Sequence, residues 1–192
     1  MDACSIRLGF AFTGSFCTMR VATDTMRSIK EKGYEVFPIM SETVYSTDTR
    51  FGKCKDFINE IENICQKKII SSITEAEPIG PKKLLDILVI APCTGNTLAK
   101  LSHSIADGPV TMAAKSHLRN GMPILLAVST NDGLAGAAEN IGKLLSRKNY
   151  FFVPFGQDDP IGKPTSLVAE FEKIPDALAL AVEGKQLQPL LL

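Results

Sequence analysis

The sequence predicts a doubly wound α/β protein, a parallel sheet layered between helices, on three observations. Strand-like and helix-like segments alternate along the chain. The run Ile87-Leu88-Val89-Ile90-Ala91 is apolar on both faces, as a central parallel strand requires. Polar, turn-forming stretches fall where strands would end and helices begin. With 192 residues, 45% of them hydrophobic, the chain is long enough to bury one sizeable core, and residues 1–192 read as a single domain.

Ile6 to Phe12 reads as the first strand and Thr13-Gly14-Ser15 as a turn. Met19, Ala22, Met26 and Ile29 then recur at helical spacing until Gly33. A second strand is expected over Glu35 to Met40, followed by a Ser- and Thr-rich loop to Gly52. Phe57, Ile61, Ile64 and Cys65 mark one face of the next helix. Glu77-Pro78-Ile79-Gly80-Pro81 reads as non-helical, and Pro92 as the end of the central strand. Helices are expected over Asn96 to Ile105, Val110 to Arg119 and Ala137 to Arg147, and strands over Pro123 to Val128 and Tyr150 to Pro154. The Gly- and Pro-rich stretch Phe155 to Pro164 reads as an excursion.

Composition excludes several classes. With 21 basic and 21 acidic residues there is no charge surplus to hold nucleic acid, although a few local charges suffice for a small anion. No apolar run approaches the roughly 20 residues needed to cross a bilayer, and Met1-Asp2-Ala3-Cys4-Ser5 lacks the basic and apolar regions of a signal peptide. The expectation is a cytoplasmic protein. Five Cys without a C-x-x-C pair read as free thiols, and His103 and His117 lack the neighbours for a metal site, so none is expected.

In a doubly wound sheet ligands sit beyond the carboxyl ends of the strands, so the loops at Thr13, Ser41, Pro92 and Ser129 should converge on one crevice. Thr13-Gly14-Ser15 leads into a helix, and Thr94, Asn96 and Thr97 crowd the start of another. Backbone amides and hydroxyls at two positive helix ends suit a phosphate. No G-x-G-x-x-G follows the first strand, and Ser41 stands where a dinucleotide site needs an acid at the end of the second, so a mononucleotide fits better. Helix capping alone is the plain alternative.

The segment Pro92-Cys93-Thr94-Gly95-Asn96-Thr97, continuing to Ile105-Ala106-Asp107, resembles the Pro-x-Ser/Thr-x-Asn-Thr motif of the flavin-dependent cysteine decarboxylase superfamily. The resemblance implies a Rossmann-like, flavodoxin-like three-layer sandwich that binds FMN, with Gly14, Ser15, Ser41, Thr94, Asn96 and Thr97 against the flavin nucleotide. Lys100, one helical turn beyond Asn96, should face the same crevice. The superfamily's Pro-x-Met-Asn motif is represented by Val128 to Leu134, which keeps Asn131 but not the Pro or Met, implying a different substrate.

A closer likeness runs through Ser46 to Gly52, Ala76 to Lys82, Pro109 to Lys115, Ser129 to Asp132 and Phe151 to Pro160. These segments are similar to the B-subunit family of dipicolinate synthases. That likeness implies a sporulating bacterium and its mother cell, and a dehydrogenase-like A subunit as partner, carrying NADP or NAD. The implied reaction oxidises dihydrodipicolinate, or its hydrated precursor, to pyridine-2,6-dicarboxylate.

For a dicarboxylate, Arg50 offers a bidentate guanidinium, and Thr130 and Asn131 offer neutral donors, an Asn cap on the following helix being the alternative for Asn131. Asp132 and Asp107 are the nearby acids available as a proton acceptor. Cys93 reads as a small core residue beside the crevice, and His103 and His117 as solvent-facing or interface residues. Val110, Ala113, Ala114 and His117 share a helix face suited to a homo-oligomer, and the apolar tail Leu187 to Leu192 suits docking on a neighbour. A decarboxylase of cysteine-like substrates, a prenyltransferase relative, and a non-catalytic chain activating a dehydrogenase remain as rival classes.

Overall fold

A computed structural model describes residues 6–192, so Cys4 lies outside the described residues. The chain opens with β1 (Arg7–Phe12), a 3-10 turn at Phe16–Thr18, α1 (Met19–Glu31) and β2 (Glu35–Met40). In α1 the buried residues Met19, Ala22, Thr23, Met26 and Ile29 recur every three or four positions, which puts one stripe on the sheet and leaves the rest to solvent.

The stretch between β2 and Gly52, expected as loop, contains a short helix, α2 (Glu42–Ser46). It forms because Ser41 takes the Val44 N–H at 3.4 Å as an N-cap. Next come α3 (Cys54–Cys65) and α4 (Ile73–Ala76), the latter closed by a Ser72–Glu75 capping box. Contrary to expectation, α4 continues into a 3-10 turn over Glu77–Ile79. Pro78 sits in its first turn, where a missing N–H costs nothing.

β3 (Ile87–Cys93) is buried along its whole length and runs two residues past the apolar run Ile87 to Ala91, through Pro92 to Cys93. Its register against the neighbouring strand shifts between Ile90 and Cys93, and such an irregularity is where a strand tolerates a proline. The remaining elements are α5 (Gly95–Ser102), α6 (Pro109–Leu118), β4 (Ile124–Thr130), α7 (Ala138–Leu145), β5 (Tyr150–Phe152), β6 (Phe155–Gly156), β7 (Leu167–Ala169) and α8 (Ile174–Val182).

The parallel part of the sheet has the order β2-β1-β3-β4-β5. From β1 the chain winds outward to β2, and from β3 it winds the other way to β4 and β5, so the crossover helices fall on opposite faces. One layer contains α1 and α8. The other contains α5, α6 and α7, with α4 packed on α6. The result is a flavodoxin-like three-layer sandwich.

The sheet departs from a purely parallel one at its far edge. β5 covers only the first half of β4, and beyond it the chain leaves the sheet and returns as β7. That strand runs antiparallel to β4 at Ser129 and Thr130 and pairs with β6. The excursion read in the sequence thus becomes a lobe over the carboxyl end of β4.

The face of α6 expected to join two copies is instead interior. Val110, Ala113, Ala114 and His117 are all buried, packed toward α4 and the sheet within this chain. His117 is the opposite of solvent-facing: its Nε2–H donates to the Pro123 carbonyl at 3.0 Å, and burial pushes its pKa down to about 4. The C-terminal residues lie along β6, with the Phe155 N–H donating to Leu190 and the Leu192 N–H donating to Phe155, while Leu191 and Leu192 remain exposed.

Candidate functional site

The β1/β3 boundary is the switch point of this sheet, and there the strand ends part into a crevice. Thr13, at the end of β1, bridges it. Its hydroxyl donates to the Pro92 carbonyl at 2.7 Å and accepts the Thr94 N–H at 3.1 Å. Two cavities open on either side of this tie, both lined by Gly14 and Thr94.

The first cavity, about 330 Å³, lies toward β2. Thr13, Gly14, Ser41, Glu42 and Thr43 form one wall; Thr94, Asn96, Thr97 and Lys100 of the α5 start form another; Asp107 to Thr111, at the start of α6, closes the third. Thr94 caps α5 by accepting the Thr97 N–H at 3.3 Å. The N-termini of α5 and α6 both face this space, so free amides and two positive helix ends point at it. Lys100 Nζ adds a cation, paired with Asp107 Oδ2 at 2.9 Å; that contact holds the Asp107 carboxyl below its ordinary value.

Gly14 has a reason that packing does not supply. A methyl group built on it would meet nothing closer than the Phe16 ring at 3.8 Å and Thr43 at 3.9 Å, so the fold would admit alanine. Its bare backbone borders both cavities, where a ligand can approach it closely. Gly95 differs: a methyl there would lie 2.7 Å from both Asp132 Oδ1 and Thr130 Oγ1, so glycine lets the β4 end pack on α5.

The second cavity, about 570 Å³, lies over the end of β4. Its floor is a triangle of hydroxyls: Ser15 Oγ lies 2.8 Å from Ser129 Oγ, and Thr18 Oγ1 lies 3.1 Å from the former and 3.2 Å from the latter. Arg50 and Phe51 reach in from the loop between α2 and α3, the guanidinium lying 4.9 Å from the ring centre. Thr130, Asn131, Asp158, Lys163 and Ser166 complete the wall.

The structure therefore sorts the residues singled out in the sequence. Ser41, Asn96, Thr97, Lys100 and Asp107 line the first cavity; Ser15, Arg50, Thr130 and Asn131 line the second; Gly14 and Thr94 line both. The hydroxyl of Thr130 is engaged, donating to Asp132 Oδ1 at 2.5 Å, and Asp132 itself lines neither cavity. Asn131 caps no helix, because α7 starts only at Ala138; its carbonyl accepts the Thr165 hydroxyl at 2.6 Å. Cys93 is fully buried and burial raises its thiol pKa, which suits a core residue. Among the described residues no cluster suited to a metal ion occurs, and no helix is long and apolar enough to cross a membrane.

Lys163, Asp158 and Ser166 carry no signal in the sequence that marks them as site residues. They belong to the excursion between β6 and β7, and only the antiparallel return of β7 onto β4 carries them over the crevice.

A 2-1-3-4-5 sheet with a crevice at its switch point, walled by two helix N-termini, defines a flavodoxin-like α/β protein. The Flavoprotein family model matches residues 2–178. The chain is 45% identical over 185 residues to the B subunit of dipicolinate synthase from Bacillus subtilis (strain 168), covering 96% of this chain and 92% of that protein. The crystal structure of the dipicolinate synthase B subunit from Bacillus halodurans superposes with a TM-score of 0.92 at 44% identity, over 100% of this chain and 98% of that one. The FMN-dependent cysteine decarboxylase SpaF shares the fold, with a TM-score of 0.68 at 19% identity over 94% and 97% of the two chains. The chain belongs to the flavoprotein family, within the group formed by the dipicolinate synthase B subunits.

Proposed function

We propose that this chain is the B subunit of a dipicolinate synthase, with FMN held in the first cavity and the cyclic dicarboxylate in the second. The observation that carries the reading is the meeting of the two cavities at Gly14 and Thr94, which would bring the two ligands into contact on a chain 45% identical to a dipicolinate synthase B subunit. Both volumes fall in the range of small-molecule sites, roughly 300–1,000 Å³.

The donors of the first cavity fit a flavin mononucleotide. The α5 and α6 N-termini and the hydroxyls of Ser41, Thr94 and Thr97 suit a phosphate and a polyol, and Lys100 supplies a cation for the phosphate's charge. The open backbone of Gly14 allows a flat ring to approach. When bound, FMN supplies a two-electron acceptor beside the substrate.

In the second cavity the Arg50 guanidinium, close to the Phe51 ring, offers two parallel N–H donors to a carboxylate, and the Asn131 amide adds a neutral donor. The Ser15, Thr18 and Ser129 hydroxyls orient the ring from below. The overall reaction removes a hydride and a proton from dihydrodipicolinate and leaves the aromatic pyridine-2,6-dicarboxylate. The NADP or NAD of the reaction belongs on a dehydrogenase-like A subunit, since this sequence carries no G-x-G-x-x-G loop to hold a dinucleotide. A homo-oligomer is part of the same proposal; a UbiX-like FMN-dependent decarboxylase of the same fold is dodecameric.

The test is reconstitution. The purified chain should retain flavin absorbance after added FMN is removed by gel filtration, and pyridine-2,6-dicarboxylate should form enzymatically only when the A subunit and NADP or NAD are also present. Full turnover by this chain alone would sink the two-subunit reading, and absence of flavin binding would remove FMN from it.

A further inference from the structure

The second cavity holds a cation besides Arg50. Lys163 lines it from the excursion between β6 and β7, whereas Arg50 enters from the loop between α2 and α3, so the two charges stand on independent segments. The backbone around Lys163 is fixed at several points. Its own N–H donates to the Asp159 carbonyl at 2.8 Å, its carbonyl accepts the Ser166 N–H at 3.0 Å, and the Thr165 hydroxyl ties the segment to Asn131. The side chain is freer, half exposed and paired with Asp158 Oδ2 at 2.9 Å. Ser166 and Lys163 hold the Asp158 carboxyl below its ordinary value, so the pair is ionised.

We propose that Lys163 is the second carboxylate-binding cation of this cavity, and that Asp158 is a stand-in carboxylate which the ligand displaces. The inference rests on the dicarboxylate reading of the cavity and adds to it the residue that sets selectivity for two carboxylates over one. Arg50 alone satisfies a single carboxylate through its two parallel N–H donors. A second carboxylate on the same ring needs another cation from a different direction, and Lys163 meets that need from a fixed backbone. Asp158 keeps the ammonium neutralised and aimed into the cavity until then, at the cost of competing with the ligand.

Such a device predicts effects of opposite sign for the two partners of one ion pair. Affinities of the full chain for pyridine-2,6-dicarboxylate and for pyridine-2-carboxylate are measured by calorimetric titration in low-salt, metal-free buffer. The wild type should prefer the diacid by at least tenfold. Lys163→Met should abolish that preference, Lys163→Arg should restore most of it, and Asp158→Asn should tighten diacid binding severalfold.

If the pair only braces the loop, breaking it from either side moves affinity in the same direction or not at all, and the proposal falls. FMN titration of each variant should be unchanged, which guards against a folding defect. A wild type that prefers the diacid while Lys163→Met keeps the preference overturns the role of Lys163 alone. A wild type that binds neither acid overturns the dicarboxylate reading together with it.

Discussion

The hydroxyl of Thr13 is bonded on both sides of Cys93, the last residue of β3, donating to the Pro92 carbonyl and accepting the N–H of Thr94. One side chain at the end of β1 therefore sets the distance between the two strand ends and holds both cavities open around Thr94. Thr13 is buried and its bond to the Pro92 carbonyl is shielded from solvent.

Thr13→Val should expose this dependence. The volume is nearly conserved, but the carbonyl and the amide lose their partner, at a cost of about 1–3 kcal/mol. For a chain of this size that lowers Tm by about 2–12 °C. Thermal unfolding followed by circular dichroism would show it, and FMN affinity should fall as well; an unchanged Tm would mean that the strand ends are held otherwise.

Gly14→Ala and Gly95→Ala should separate binding from folding. A methyl at Gly14 finds room, so stability should stay within about 0.5 kcal/mol. The methyl occupies space a ligand needs, so FMN should bind about tenfold more weakly, equivalent to about 1.4 kcal/mol. At Gly95 the methyl would press on Asp132 and Thr130 and break their hydrogen bond, a loss of about 1 kcal/mol in stability. Urea unfolding of both variants beside a flavin fluorescence titration reads the two effects separately.

His117 should make the fold sensitive to mild acid. Burial lowers its pKa to about 4 from the ordinary 6.5, so between these values the unfolded chain binds a proton that the folded chain refuses. Stability from this residue is intact above about pH 6.5 and is lost as the pH falls toward 4, to an extent on the order of 3 kcal/mol. Urea midpoints at pH 7.5 and 4.5 should differ less for His117→Gln, whose amide still reaches the Pro123 carbonyl. An equal pH dependence in both proteins would place the acid sensitivity elsewhere.

Lys100 and Asp107 form a half-exposed pair, worth little to stability. Lys100→Met should leave Tm within a degree or two yet weaken FMN by about 1.5–3 kcal/mol, the worth of a charge-assisted hydrogen bond. Asp107→Asn, which frees the ammonium, should tighten it, and both effects should shrink at high salt. An FMN affinity untouched by either change would put the phosphate away from Lys100.

Alternation of period and the apolar run through Ile87 to Ala91 are local properties of the chain, and they were enough to set the layered α/β class and the convergence of the strand-end loops on one crevice. The place of Gly14, Ser41, Thr94, Asn96 and Thr97 at the crevice was legible for the same reason: loops that follow parallel strands must emerge at one edge of the sheet. Tertiary structure alone decided what depends on pairing between distant segments. The antiparallel return of β7 onto Ser129 and Thr130 brings Lys163 and Asp158 over Arg50, more than a hundred residues away in sequence. Burial turned His117 and its helix face from a surface into the core. No periodicity records either outcome, because strand pairing and desolvation are settled by which surfaces meet, and that is fixed only when the whole chain has packed.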